Sequence, residues 1–199
     1  MYESTEADKR RAQIKVKQLH HHAFRTKDME ATRAFYEDVL GLPLIGTFVE
    51  TTDPVTEKPS NYIHCFFEFA DGSALAFFQF QEDKYKESAI QGKQDPFDHH
   101  IALEVDDKET VFAFRDRLEA AGHEYMLIDH GYCYSIYLHD PNGMQVELTT
   151  KVDQTNEILE QAARTAHEDL KQWLDGVTVA NNKFRKLRGA PAYTPGASA

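Results

Sequence analysis

His21 and His100 stand 79 residues apart, and sliding the chain by that distance also lays Ala23 on Ala102, Asp28 on Asp107, Ala34 on Ala113 and Phe35 on Phe114. Self-similarity at a fixed offset marks a duplicated structural unit. A histidine at the same place in both copies, joined by Glu147 on the last apolar run of the second, offers two neutral imidazoles and one carboxylate from three separate segments. Such a set grips a divalent metal from one side and leaves positions open for a substrate and dioxygen, which suits Fe(II).

Strand parity selects these donors among their neighbours, because alternate side chains of a strand point to opposite faces. In HHIALEV, Ile101, Leu103 and Val105 form the apolar face that must pack on a helix, so His100, Ala102 and Glu104 face the other way. His100 is the candidate and His99 is not. The offset carries that choice to His21, which shares a face with Ala23 and Arg25, while His22 and Phe24 share the opposite one. In MQVELTT the apolar face is Met144, Val146 and Leu148, which leaves Glu147 on the metal side. Ordinary half-buried strand residues would alternate in the same way. The coincidence in repeat position and the cost of burying an unpartnered carboxylate favour a metal.

The elements that must position these donors repeat in order. LHHHAFRT reads as a strand, and KDMEATRAFYEDVLG as a helix with Asp28 as N-cap and Gly41 at the stop. PLIGTFVE, NYIHCFFEF and ALAFFQF follow as strands, the last two joined by Asp71-Gly72. The second copy gives HHIALEV, a helix from Glu109 to about Ala121 ended by Gly122, then EYMLID, YSIYLHD and MQVELTT. The expected fold is α+β: two tandem βαβββ modules, about 18–80 and 97–150, pairing into a cupped mixed sheet. Residues 51–61 read as a long loop and 81–98 as a surface linker. Residues 1–17 form an N-terminal extension. A C-terminal extension, 151–187, carries one amphipathic helix from about Thr155 to Leu174. The Pro/Gly-rich tail 188–199 is expected to be disordered.

Composition narrows the partners. With 22 Lys and Arg against 33 Asp and Glu in 199 residues, the net charge of −11 repels phosphate backbones and acidic lipid surfaces. Neither nucleic acid nor a membrane is an expected partner. Cys65 and Cys133 are too few for a disulfide framework, no CxxC is present, and no apolar run approaches membrane-spanning length. A cytoplasmic location is the expectation.

The run from Ile128-Asp129-His130 through Ile136-Tyr137-Leu138-His139-Asp140-Pro141-Asn142-Gly143-Met144-Gln145-Val146-Glu147 resembles the signature of type I extradiol ring-cleaving dioxygenases. HHHAFRTKDMEATRAFYEDVLGL resembles the opening of the wider vicinal-oxygen-chelate superfamily, which includes glyoxalases, epimerases and antibiotic-resistance proteins. The resemblance covers about Leu19 to Thr150. It implies a small aromatic substrate of the catechol type, O2 as co-substrate, and a homodimer. It places His21, His100 and Glu147 on the iron ligands, with Mn(II), Zn(II) and Ni(II) as alternatives. Tyr137 falls on a tyrosine that hydrogen-bonds a catecholate oxygen, and His130 on a histidine that positions or protonates bound oxygen. Each of the two is otherwise compatible with a structural role, as a barrel tyrosine and a turn residue.

The chain also departs from that pattern. Relatives carry an acid-base histidine late in the preceding module, where this chain reads Gly72-Ser73-Ala74-Leu75-Ala76-Phe77, and His64 is the nearest substitute. Glyoxalase-like lyases and isomerases of the superfamily use a fourth ligand four residues after the turn glycine. Here that position is Ala76, unless Gln79 serves on a slipped register. A metal-free cup that sequesters aromatic drugs is the third reading, to which Phe66, Phe67, Phe69, Phe77, Phe78 and Phe80 are suited.

Overall fold

The computed structural model describes residues 5–10, 18–54, 56–81 and 99–181. A short helix, α1 (Thr5–Arg10), precedes two modules of the same topology. The first module runs β1 (His21–Arg25), α2 (Met29–Arg33), β2 (Leu44–Thr52), β3 (Pro59–Glu68) and β4 (Ala74–Phe80), with sheet order β1-β4-β3-β2. The second runs β5 (His100–Glu104), α3 (Lys108–Ala120), β6 (Met126–Asp129), β7 (Cys133–His139) and β8 (Gln145–Lys151), ordered β5-β8-β7-β6. In each sheet the first strand lies parallel to the last and the other pairings are antiparallel. The duplicated βαβββ plan is therefore the observed one.

Equivalent residues do equivalent work in the two crossovers. Asp28 accepts from the Ala31 amide at 2.9 Å and Asp107 from the Thr110 amide at 2.8 Å, each capping its helix where backbone donors lack partners. Both helices stop at a glycine with positive φ, +79° at Gly41 and +74° at Gly122, a conformation that side chains resist. The first helix departs from expectation midway, where Ala34–Val39 widens into a π-helix.

The core is one cluster drawn from both modules. Tyr36, Phe67, Leu75 and Phe77 from the first meet Leu118, Ile136, Leu138 and Val146 from the second, all essentially without solvent contact. A buried polar seam joins the same surfaces. Tyr36 donates to the Asp140 carboxylate at 3.1 Å, Thr26 donates to the Asn142 side-chain oxygen at 2.8 Å, and the Asn142 amide nitrogen reaches Thr32 at 3.3 Å. Asp140 also takes the Asn142 and Met144 backbone amides, both at 2.8 Å. The β7–β8 turn of one module is thus plugged into the helix layer of the other. The two sheets are not hydrogen-bonded to each other, so among the described residues β1 and β5 are both edge strands with a neighbour on one side.

Three features differ from the sequence reading. β2 and β3 extend into the expected 51–61 loop, pairing Thr52 with Pro59. The unexpected helix α1 docks on the C-terminal helix α4 (Thr155–Leu174), where Thr5 reaches Glu160 and Arg10 reaches the Ala163 carbonyl, both at 2.8 Å. α4 buries Thr155 and Ile158 in its first turn, while Leu170, Trp173 and Leu174 at its far end lie in solvent. No helix of the described residues is long and apolar enough to cross a membrane. The tail 188–199 and nearly all of the 81–98 linker fall outside the described residues.

Candidate metal centre

The parity argument holds on the second sheet. β5 lies beside β8 with Ala102 opposite Glu147, and β8 lies beside β7 with Tyr137 opposite Glu147. One face of the sheet therefore carries His100, Glu147 and Tyr137 side by side. His100 Nε2 stands 3.4 Å from a Glu147 carboxylate oxygen, with the Glu147 side chain 7% exposed and His100 39% exposed. A carboxylate this buried requires cationic or hydrogen-bonding partners. Tyr137 Oη lies 2.9 Å from His130 Nε2, so the hydroxyl and the imidazole share a hydrogen bond beside Glu147. Burial first, and then the Glu147 charge, push the Tyr137 phenol far above its usual value, so it stays a protonated donor.

One neighbour of this group was not anticipated. Donor atoms of His130, Cys133 and Glu147 all lie within 4.8 Å of one another, with Cys133 and Glu147 buried. Cys133 shares the strand parity of Ser135 and Tyr137, which is the signal that could have marked it.

His21 sits on the other sheet. Its ring packs against His64 and Phe66, with centroids 6.2 and 5.6 Å away, on a face completed by Phe48 and Phe78. His21 Nδ1 and His20 Nδ1 are 2.8 Å apart, so one donates and the other accepts, and with His21 Nδ1 as the donor its Nε2 holds the lone pair that could serve a metal. His64 stacks on Phe78 at 3.7 Å, and its buried Nε2 has no hydrogen-bond partner among the described residues. Burial, and then the neighbouring His21, hold its pKa below the usual histidine range. Among the described residues no group of three close His, Cys, Asp or Glu donors includes both His21 and His100. The second sheet carries His100, Glu147, Tyr137 and His130 together and the first carries His21 and His64, and the two stretches adjoin where His22 and Phe24 pack on His99 with ring centroids 5.8 and 5.7 Å apart.

Ala76 is fully buried and offers no donor, while Gln79 is engaged elsewhere, accepting from the Met29 amide at 2.8 Å at the start of α2. The phenylalanine-rich stretch divides by parity: Phe67 and Phe77 belong to the core, whereas Phe66, Phe78 and Phe80 line the face that carries His21.

Comparison with known proteins places the chain that carries these two modules. Residues 18–148 match the family model described as Glyoxalase/Bleomycin resistance protein/Dioxygenase superfamily, and the chain belongs to that superfamily. A lactoylglutathione lyase of Haemophilus influenzae is 27% identical over 139 residues, which are 65% of this chain and 90% of that protein. Among solved structures, a mutant of the fosfomycin resistance protein FosX of Listeria monocytogenes, complexed with Mn(II) and 1S,2S-dihydroxypropylphosphonic acid, aligns with a TM-score of 0.51 at 21% identity, covering 72% of this chain and 99% of that one. A glyoxylase/bleomycin resistance protein/dioxygenase domain from Frankia sp. EAN1pec aligns with a TM-score of 0.54 at 11% identity, covering 69% and 100%. At those identities the solved structures speak for the fold.

Proposed function

We propose that this chain is an Fe(II)-dependent extradiol dioxygenase that inserts both atoms of O2 into the ring of a catechol-type substrate, with the metal held by His100 and Glu147 of one copy and His21 of a second. The observation that carries this reading is the placement of the hydrogen-bonded Tyr137–His130 pair on the same face as the adjacent His100 and Glu147. The donor chemistry fits the metal: neutral imidazoles and a buried carboxylate, with Ala76 leaving no fourth protein ligand. When bound, Fe(II) favours the deprotonated catechol by charge neutralisation and supplies the redox-active centre that dioxygen requires.

The chain's own residues do the rest. Tyr137, kept protonated, donates a hydrogen bond to a substrate oxygen, and His130, 2.9 Å from its hydroxyl, orients it and can take up a proton that the substrate itself releases. Phe66, Phe78 and Phe48 form an apolar wall against which a planar ring stacks and from which water is displaced. His64, neutral within that wall, stands where an imidazole could move a proton at the substrate.

A second copy is invoked because, among the described residues, β1 and β5 are each the terminal strand of their sheet and each begins with a candidate ligand. A cleft of about 620 Å³ lies between the β3–β4 turn and β5. An isologous pair that lays β1 of one copy along β5 of the other would build two identical centres.

A metal-dependent lyase or isomerase is the second reading, favoured by the lactoylglutathione lyase relative at 27% identity. Oxygen consumption separates the two. Protein loaded with Fe(II) without air, then given catechol or a substituted catechol and air, should take up O2 and release a yellow ring-opened product. Absence of O2 uptake with iron still bound removes the dioxygenase reading. Glu147→Ala should abolish iron retention, and unchanged iron occupancy would remove the site assignment.

A further inference from the structure

We propose that His130, Cys133 and Glu147 form a second, inner metal site, built from a single chain and suited to a thiophilic divalent ion of the Zn(II) class. The three donor atoms already lie within 4.8 Å of one another. Zinc bonds of roughly 2.0–2.3 Å to N, O and S in a tetrahedral site imply donor separations between about 3 and 4 Å, so closure needs side-chain shifts of about 1 Å. The set combines a thiol, an imidazole and a carboxylate, and a thiolate is the ligand that distinguishes Zn(II) from the harder Mg(II) or Ca(II).

The surroundings fit a closed site. Cys133 is 5% exposed and Glu147 6% exposed, and the neighbouring Ser135 is fully buried. Ser135 Oγ, 3.8 Å from Cys133 Sγ, and Tyr137 Oη, 2.9 Å from His130 Nε2, are further oxygens next to the cluster. The His130 backbone amide donates to the Cys133 carbonyl at 3.0 Å, which closes the β6–β7 turn and holds the imidazole and the thiol on the same side of it. Coordination converts Cys133 to its thiolate and releases the thiol proton to solvent, with no redox change. The site shares Glu147 and His130 with the proposed iron centre, so the two are alternative occupants of that face, but it requires neither His21 nor a second copy.

Co(II) is a suitable probe because a thiolate ligand gives it a near-ultraviolet charge-transfer band that nitrogen and oxygen ligands do not. Full-length reduced protein titrated with Co(II) under argon should develop that band. Cys133→Ser should lose it and Cys65→Ser keep it. His130→Gln should weaken Co(II) binding read at that band by at least about tenfold, and His21→Ala should leave the band in place. Circular dichroism of each variant separates ligand loss from misfolding. No band in folded wild-type protein, or a band that survives Cys133→Ser, overturns the site; so does its disappearance in folded His21→Ala protein. Failure of catechol cleavage with the band intact counts against the dioxygenase reading alone, and a missing band with cleavage intact counts against this site alone.

Discussion

Tyr137 shows how much one side chain depends on its neighbours. Its hydroxyl is caught between His130 and the Glu147 charge in a buried position, so it can donate a proton-bearing hydrogen bond across the working pH range. Tyr137→Phe should therefore lower kcat about 10²-fold while iron content stays at the wild-type level, as single-turnover kinetics and metal analysis would show. An equal loss of iron would make Tyr137 a structural support of Glu147 instead. The facing of His100 and Glu147 was legible from alternation along two strands, because parity is a local property of extended chain. Parity puts Cys133 on that face as well, but its approach to Glu147 was not legible, since spacing within one strand does not say how near a residue comes to one on the next strand.

At the scale of elements, the repeated aspartate caps were readable because a cap needs only its own first turn. Asp107→Ala should cost about 1 kcal/mol in urea unfolding. The plug of the β7–β8 turn into the first helix is a different matter. Tyr36 and Asp140 are 104 residues apart, and both are buried. Burial raises both pKa values, as expected of a pair held away from water. Tyr36→Phe removes the donor and keeps the ring, so it should cost about 1–3 kcal/mol, measured by the urea midpoint. A cost near zero would mean that the seam does not hold the modules together. The π-helical widening at Ala34–Val39 and the extension of β2 to Thr52 escaped prediction because both follow from packing and strand pairing across the fold, which override local propensity.

For the whole molecule the decisive question is how His21 joins the other ligands. If the centre is shared between copies, mixing His21→Ala with Glu147→Ala chains should restore iron, since each mixed pair has one intact site. Random reassortment puts that recovery at about a quarter of the wild-type sites. No recovery after verified exchange of subunits would return His21 to the status of a surface residue. Stability should also respond to acid. His123 packs edge-on against Phe35 at 5.5 Å, and burial lowers its pKa. The folded state then binds fewer protons than the unfolded chain. The resulting stability is complete above the unfolded value of about 6.5 and is lost as pH falls through the depressed folded value. The urea midpoint should drop between pH 7 and pH 5, and His123→Phe should flatten that slope.

The sequence alone determined the duplicated module, its caps and stops, and the face on which each candidate ligand lies, because these depend on spacing within a few residues of each site. Tertiary structure decided which of those faces meet. Burial of Tyr36, Phe77 and the Asp140 turn in one shared core packs the modules together while β1 and β5 remain edges of separate sheets, with His21 on one sheet and Glu147 on the other. Local alternation is indifferent to that choice, since either edge could be paired without changing the parity of a single residue.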